Sequence, residues 1–132
     1  MTHDDYDSAL ELWNRTEGLA LSAADSRDAI SAYLDRNPGM SFVCTVDGHV
    51  AGTILCGHDG RRGYIYHVAV HADHRGRSIG PQLVERSLEQ LRLAGLDKCH
   101  IMVIADNEIG NRFWTKTGWQ RRDGILLFSH SV

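Results

Sequence analysis

The sequence has no apolar run near the ~18 residues that a membrane-crossing helix needs, which argues against a membrane-embedded protein. It has only two prolines, Pro38 and Pro81, and no Pro/Gly/Ser-rich linker, low-complexity tract or internal repeat. Nothing divides it, so residues 1–132 are expected to form one domain, a length sufficient to bury a core. Cysteine is scarce: Cys44, Cys56 and Cys99 are odd in number and widely spaced. No pair has the C-x-x-C spacing of a zinc or redox site, so buried free thiols and no metal are expected. A basic excess is also missing. Fourteen Lys and Arg against 17 Asp and Glu leave a net charge of -3, which makes nucleic acid an unpromising partner. The segment Met1 to Asp5 is polar and acidic, without the charged start and apolar run of a secretory leader. The expectation is a reduced, soluble, cytoplasmic protein.

Composition is otherwise that of an ordered domain, 42% apolar and 23% charged. Helical spacing of Tyr6, Ala9, Leu10 and Trp13 predicts a helix over 5–16, and Ile30, Tyr33 and Leu34 predict a second over 26–35. Asn37-Pro38-Gly39 ends it. Strands are predicted at 42–46, 50–56 and 64–70, the first two joined through the hairpin signal Asp47-Gly48. In the third, strict alternation puts Tyr64, Tyr66, Val68 and Val70 on one face and Ile65, His67 and Ala69 on the other. The period then changes. Ile79, Leu83, Val84, Leu88 and Leu91 mark a helix over 79–93, with Pro81 in its first turn and Gly95 beyond its end. A continuous apolar run at 99–104 suits a central strand, and Asp106 or Asn107 caps a helix over 108–117. Residues 119–122 and 125–130 are predicted to close the fold as a hairpin around Asp123-Gly124. The expected architecture is α/β (α+β): antiparallel N-terminal strands, then a parallel, right-handed βαβ unit, in a mixed sheet flanked by about four helices.

The informative segment is Arg75-Gly76-Arg77-Ser78-Ile79-Gly80, which follows a strand and opens a helix. Unpaired N–H groups and the helix dipole favour an anion there. Gly76 and Gly80 permit close approach, and Arg75 and Arg77 add charge. The segment is neither a Walker A sequence nor G-x-G-x-x-G, so the physics predicts a phosphorylated ligand without naming it.

Val68-Ala69-Val70-His71 followed by His74-Arg75-Gly76-Arg77-Ser78-Ile79-Gly80 resembles the coenzyme A pyrophosphate loop of the GNAT acetyltransferase superfamily. Asn107 through Phe113-Trp114 to Gly118-Trp119 is similar to that family's later Asn-containing helix and its Gly-aromatic ending. Val50-Ala51-Gly52-Thr53 and His58-Asp59-Gly60-Arg61-Arg62-Gly63 look closest to the bacterial YpeA-like branch. Three departures stand out. Ser78 replaces the usual glycine, and its hydroxyl either donates to a phosphate or caps its own helix. The family's first strand is nearly absent. Trp114 replaces the tyrosine that serves many relatives as general acid.

The resemblance implies transfer of an acetyl group from acetyl-coenzyme A to a primary amine of a small molecule or protein, by direct attack on the thioester. The cofactor is implied to lie along Val68, Ala69 and Val70, with a strand N–H near Ala69 polarising the carbonyl. Its pyrophosphate is implied at Arg75, Gly76, Arg77, Ser78, Ile79 and Gly80, with Asn107, Asn111 and Trp114 toward its arm. Helix capping for Asn107 and solvent exposure for Asn111 are the plainer alternatives. Relatives often place a base where Tyr66 stands, and a tyrosine is a poor base at neutral pH. His67 and His71 are further base candidates, although alternation turns His67 away from Tyr66 and packing is its simpler role. The substrate wall is implied at Trp13, Leu19 to Ser22 and Tyr33, with Trp13 also fitting a core position. The closing hairpin is implied to support a homodimer. A non-catalytic acyl-coenzyme A sensor and a module for another nucleotide are the competing expectations.

Overall fold

Tyr6, Ala9, Leu12 and Trp13 share one stripe of helix α1, Tyr6–Asn14, and all four are buried. Ser26 opens α2, Arg27–Arg36, by accepting a hydrogen bond from the Ala29 N–H at 3.2 Å. The stripe of α2, Ile30 and Leu34, joins that of α1 over Leu55 and Ala69, forming the core on one face of the sheet. The computed structural model describes residues 1–132, and its contacts divide them into two units, 1–102 and 103–132.

The first unit carries the sheet, in the order β1 (Phe42–Val46), β2 (His49–His58), β3 (Gly63–Val70) and β4 (Cys99–Ile101). The β1–β2 and β2–β3 pairs are antiparallel, and β3–β4 is parallel. Asp47 and Gly48 both have positive φ, 51° and 78°, as a two-residue turn of the hairpin type requires. Helix α3, Ile79–Leu93, lies on the opposite face and completes the βαβ unit. Gly52 permits its close approach: a Cβ there would stand 2.8 Å from Ile79 Cγ2. The expected mixed fold is therefore present, and the sheet positions the first turn of α3 directly after β3.

Three expectations are corrected. The strand expected over 99–104 stops at Ile101, because its ladder uses only Gly63 to Ile65 of β3. The closing hairpin is absent. Neither Asp123 nor Gly124 has the positive φ a tight hairpin turn needs, and Ile125, Leu126, Leu127 and Phe128 are 65–87% exposed. In the second unit the ordered element is α4, Glu108–Lys116, with Trp114 buried against Phe113 and Trp119.

The third correction concerns β3. Thr53 pairs with Ala69 and Leu55 with Tyr66, so Ile54 alone faces both His67 and Val68. This is a bulge, and His67 takes it up with a left-handed φ of 52°. The extra residue cancels the alternation, so Tyr66 and His67 line the same cavity. Thr53 supports the bulge from beneath. Its buried hydroxyl accepts from Trp13 Nε1 at 2.9 Å and donates to the His67 carbonyl at 2.9 Å. Thr53→Val is expected to orphan both partners in the core and lower the unfolding free energy by about 3 kcal/mol, as measured by urea titration.

Candidate functional site

The first part of the site is the connection from β3 to α3. Residues 72–74 form a short 3₁₀ turn, and Gly76 and Ser78 adopt left-handed φ values of 79° and 63°. That conformation explains why glycine is favoured at the second position, since a side chain there is strained. Ser78 is the N-terminal boundary residue of α3, yet its side chain makes no capping bond, so the hydroxyl is left available. Helices α1, α2 and α4 place Asp7, Asp28 and Glu108 in their first turns, whereas α3 has no acidic residue in its own. The positive end of its dipole is thus left unneutralised, beside exposed Arg75 and Arg77. A Cβ at Gly76 would meet nothing within 4 Å, so the backbone there is open to a ligand.

Beyond Ile65, β3 has no strand on its β4 side, because that pairing ends at Ile65–Ile101. The edge from Tyr66 to Val70 therefore has no ladder partner on that side, and it leads into the loop before α3.

The second part of the site is a cavity of about 530 Å³. Ala20, Ala24, Ala29, Ile30 and Leu55 line it with apolar surface, and Ser22, Asp25, Tyr33, Tyr66 and His67 give it polarity. Asp25 is a buried carboxylate at the end of a 3₁₀ turn opened by Ser22. One oxygen, Oδ2, accepts from the Ser22 N–H at 2.9 Å, and Oδ1 lies 2.6 Å from His67 Nε2. The Tyr6 hydroxyl donates to the Asp25 carbonyl at 2.6 Å. Tyr33 and Tyr66 meet edge to face at 6.3 Å between centroids. Burial, and then neighbouring ionisable groups, push both phenols above their ordinary pKa, so neither ionises near neutral pH. The Tyr33 hydroxyl is buried without a hydrogen-bond partner.

Two other predicted residues of the first unit lie outside that cavity. Trp13 is 1% exposed, in the core beneath His67, with ring centroids 4.8 Å apart. His71 opens the 3₁₀ turn before Arg75, its Nδ1 accepting from the Asp73 N–H at 3.1 Å. It lines a separate hollow of about 220 Å³ with Leu12, Arg15 and Arg75. In the second unit, Asn107 Oδ1 caps α4 by accepting from the Gly110 N–H at 3.0 Å. Asn111 Nδ2 donates to the carbonyls of Asn107 and Ala105, at 2.8 and 3.2 Å. Asp25 was not foreseen from the sequence. The available signal was Ser22-x-x-Asp25, which has the reciprocal spacing of a capping box.

Residues 6–119 match the model of the acetyltransferase (GNAT) family. "Acetyltransferase SG1711" of Sodalis glossinidius is 34% identical over 125 residues, covering 95% of this chain and 87% of the relative. "Acetyltransferase ECA0875" of Pectobacterium atrosepticum is 33% identical, covering 94% and 87%. The PaiA N-acetyltransferase of Thermoplasma acidophilum, solved in complex with coenzyme A, superimposes with a TM-score of 0.79 at 16% identity, covering 93% of this chain and 88% of that one. The chain belongs to the GNAT acetyltransferase family. It is an acetyltransferase that uses acetyl-coenzyme A, and a sensor without turnover is not favoured.

The loop and strand edge suit that donor: open backbone at Gly76, an unneutralised helix end, a free hydroxyl and two arginines, all following an unladdered edge. Gly76→Asp introduces a carboxylate into open space, at a positive φ that strains a non-glycine residue by on the order of 1 kcal/mol. Acetyl-coenzyme A affinity, measured by calorimetry, is expected to fall at least about 100-fold, with the thermal transition lowered only by that modest strain.

Proposed function

We propose that Arg75 to Gly80 hold the pyrophosphate, that the β3 edge at Val68 to Val70 carries the pantetheine arm, and that the cavity above Tyr66 and His67 receives the acceptor amine. The observation that carries this reading is the continuity of β3. Its bulge contributes Tyr66 and His67 to the cavity, and its end, Val70, opens into the anion-binding loop. Donor and acceptor would then meet along one strand.

The cavity's chemistry narrows the acceptor. A mostly apolar lining of about 530 Å³ fits a compact small-molecule amine with an apolar body better than a charged or extended chain. Acetyl-coenzyme A supplies an activated acyl group on a thiol leaving group. The ammonium of the acceptor gives up one proton, and its lone pair attacks the thioester carbon. A C–N bond forms, the C–S bond breaks and the electron pair leaves on sulfur, which takes the second nitrogen-borne proton. An N–H of β3 near Ala69 would stabilise the developing oxyanion, an effect worth a few kcal/mol in such sites. Trp114 provides no substitute for a tyrosine acid, because an indole N–H donates without ionising. A thiol has an ordinary pKa near ~8.5, so its thiolate departs tolerably unaided.

We further take residues 1–132 as one catalytic domain of the YpeA-like branch acting in the cytoplasm, supported by a family match that runs through both units and by helices too short and polar to cross a membrane. The exposed stretch Ile125 to Phe128 supports a homodimer that covers it. Sedimentation equilibrium is expected to give the mass of two chains, and Leu127→Asp/Phe128→Asp the mass of one.

Ala29→Phe places a ring in the cavity wall. Thiol-release kinetics against a panel of small apolar amines are expected to show KM for the amine rising about tenfold or more, from lost volume in a close-packed site, with KM for acetyl-coenzyme A unchanged. Equal activity on N-terminal peptides and small amines would overturn the acceptor assignment.

A further inference from the structure

Four cavity side chains can exchange a proton: Asp25, Tyr33, Tyr66 and His67. The two phenols are held neutral by burial. Both oxygens of Asp25 are engaged, one by the Ser22 N–H and one by His67 Nε2. His67 remains. A carboxylate only accepts hydrogen bonds, so the 2.6 Å contact puts the imidazole proton on Nε2. The other nitrogen, Nδ1, then carries a lone pair. It has no hydrogen-bond partner, and it is not sealed from its surroundings as the Tyr33 hydroxyl is. Trp13 packs edge-on against the ring and restricts its rotation.

We infer that His67 is the catalytic base, taking the acceptor's ammonium proton on Nδ1, and that Asp25 is a positioning residue that fixes the Nε2–H tautomer and steadies the imidazolium formed. This rests on the cavity being the acceptor site. The proton moves from the ammonium nitrogen to Nδ1 and afterwards to solvent, leaving the amine lone pair free to attack. The titratable groups that share the cavity with His67 are Asp25 from the 3₁₀ turn, Tyr33 from α2 and Tyr66 on its own strand, while Trp13 of α1 packs against its ring and the Tyr6 hydroxyl of α1 bonds the Asp25 carbonyl. Asp25 is the one carboxylate among them. The bulge is what makes the assignment possible, since strict alternation would have turned His67 from Tyr66.

Three measurements test this. His67→Asn keeps a residue that tolerates the left-handed backbone and removes the base. Its kcat is expected to fall about 10²- to 10³-fold, with acetyl-coenzyme A affinity by calorimetry unchanged. Wild-type turnover in that variant would overturn the proposal. Asp25→Asn presents an amide that can donate to Nε2 and drive the proton to Nδ1. A loss in kcat of roughly tenfold or more is expected, with the His67 tautomer switched to Nδ1–H in that variant's nitrogen-15 spectrum. The same loss with the Nε2–H tautomer retained would reduce Asp25 to a structural role. Nitrogen-15 NMR of the resting wild type is expected to show the Nε2–H tautomer at His67, and the Nδ1–H tautomer would refute the assignment whatever the activity. An Ala29→Phe variant with unaltered amine KM would instead sink the cavity reading, and the tautomer result would still stand.

Discussion

A single hydroxyl carries the bulge on which the site depends. Thr53 is fully buried in β2 and links the Trp13 indole to the His67 carbonyl. A bulge leaves a backbone group without its ladder partner, and an unpaired buried carbonyl is expensive. The Thr53 hydroxyl meets that need while occupying the indole donor, so one side chain satisfies two buried groups. With His67 thereby fixed at a positive φ, the strand presents two neighbouring side chains to one cavity. The core tryptophan is thus coupled to the site through Thr53 and through its edge-on contact with the imidazole.

The loop that opens α3 is built by withholding rather than adding. Helix α3 omits the first-turn acid its fellow helices carry, and the backbone at Gly76 has no neighbour where a side chain would project. Gly52 lets Ile79 descend onto β2, which seats the first turn of α3 at the end of β3. Ser78 departs from the family's glycine and accepts a left-handed backbone that costs a non-glycine residue on the order of 1 kcal/mol. Its hydroxyl makes no cap, so of the two roles open to it from sequence the structure leaves it free to donate to a phosphate.

The sheet order and the strand–helix junction between β3 and α3 were legible because each has a local signature: Asp47-Gly48 for the hairpin, and a glycine-bearing switch from strand to helical period for the junction. The position of His67 was not legible. A bulge is a register event between two strands, and nothing in Tyr66-His67-Val68 announces that Ile54 alone will face two of those residues. Asp25 was hidden for a related reason: its partner is 42 positions away, brought near by that same bulge. The predicted closing hairpin failed in the opposite way. Asp-Gly followed by Ile125 to Phe128 has a strong local pattern, but a strand needs a neighbouring edge to exist, and the backbone at 123–124 does not make the turn.

The chemistry explains why an enzyme lacking a tyrosine acid would still need a held histidine. An ordinary alkylammonium has a pKa near ~10.4, whereas the departing thiol sits near ~8.5. At neutral pH the thiolate leaves with little help, but the nucleophile is almost entirely protonated. The demanding proton transfer is therefore on the acceptor side, the step proposed above for the Asp25–His67 pair. Burying a carboxylate to hold one imidazole is not a stabilising choice in itself, since desolvation offsets much of the attraction between buried charges. Its value lies in orientation. The Ser22 N–H, the Tyr6 hydroxyl on the Asp25 carbonyl and the Trp13 edge together fix both partners. A core designed for stability alone would have filled that space with a hydrocarbon, and the arrangement makes sense if the fold is required to aim a lone pair.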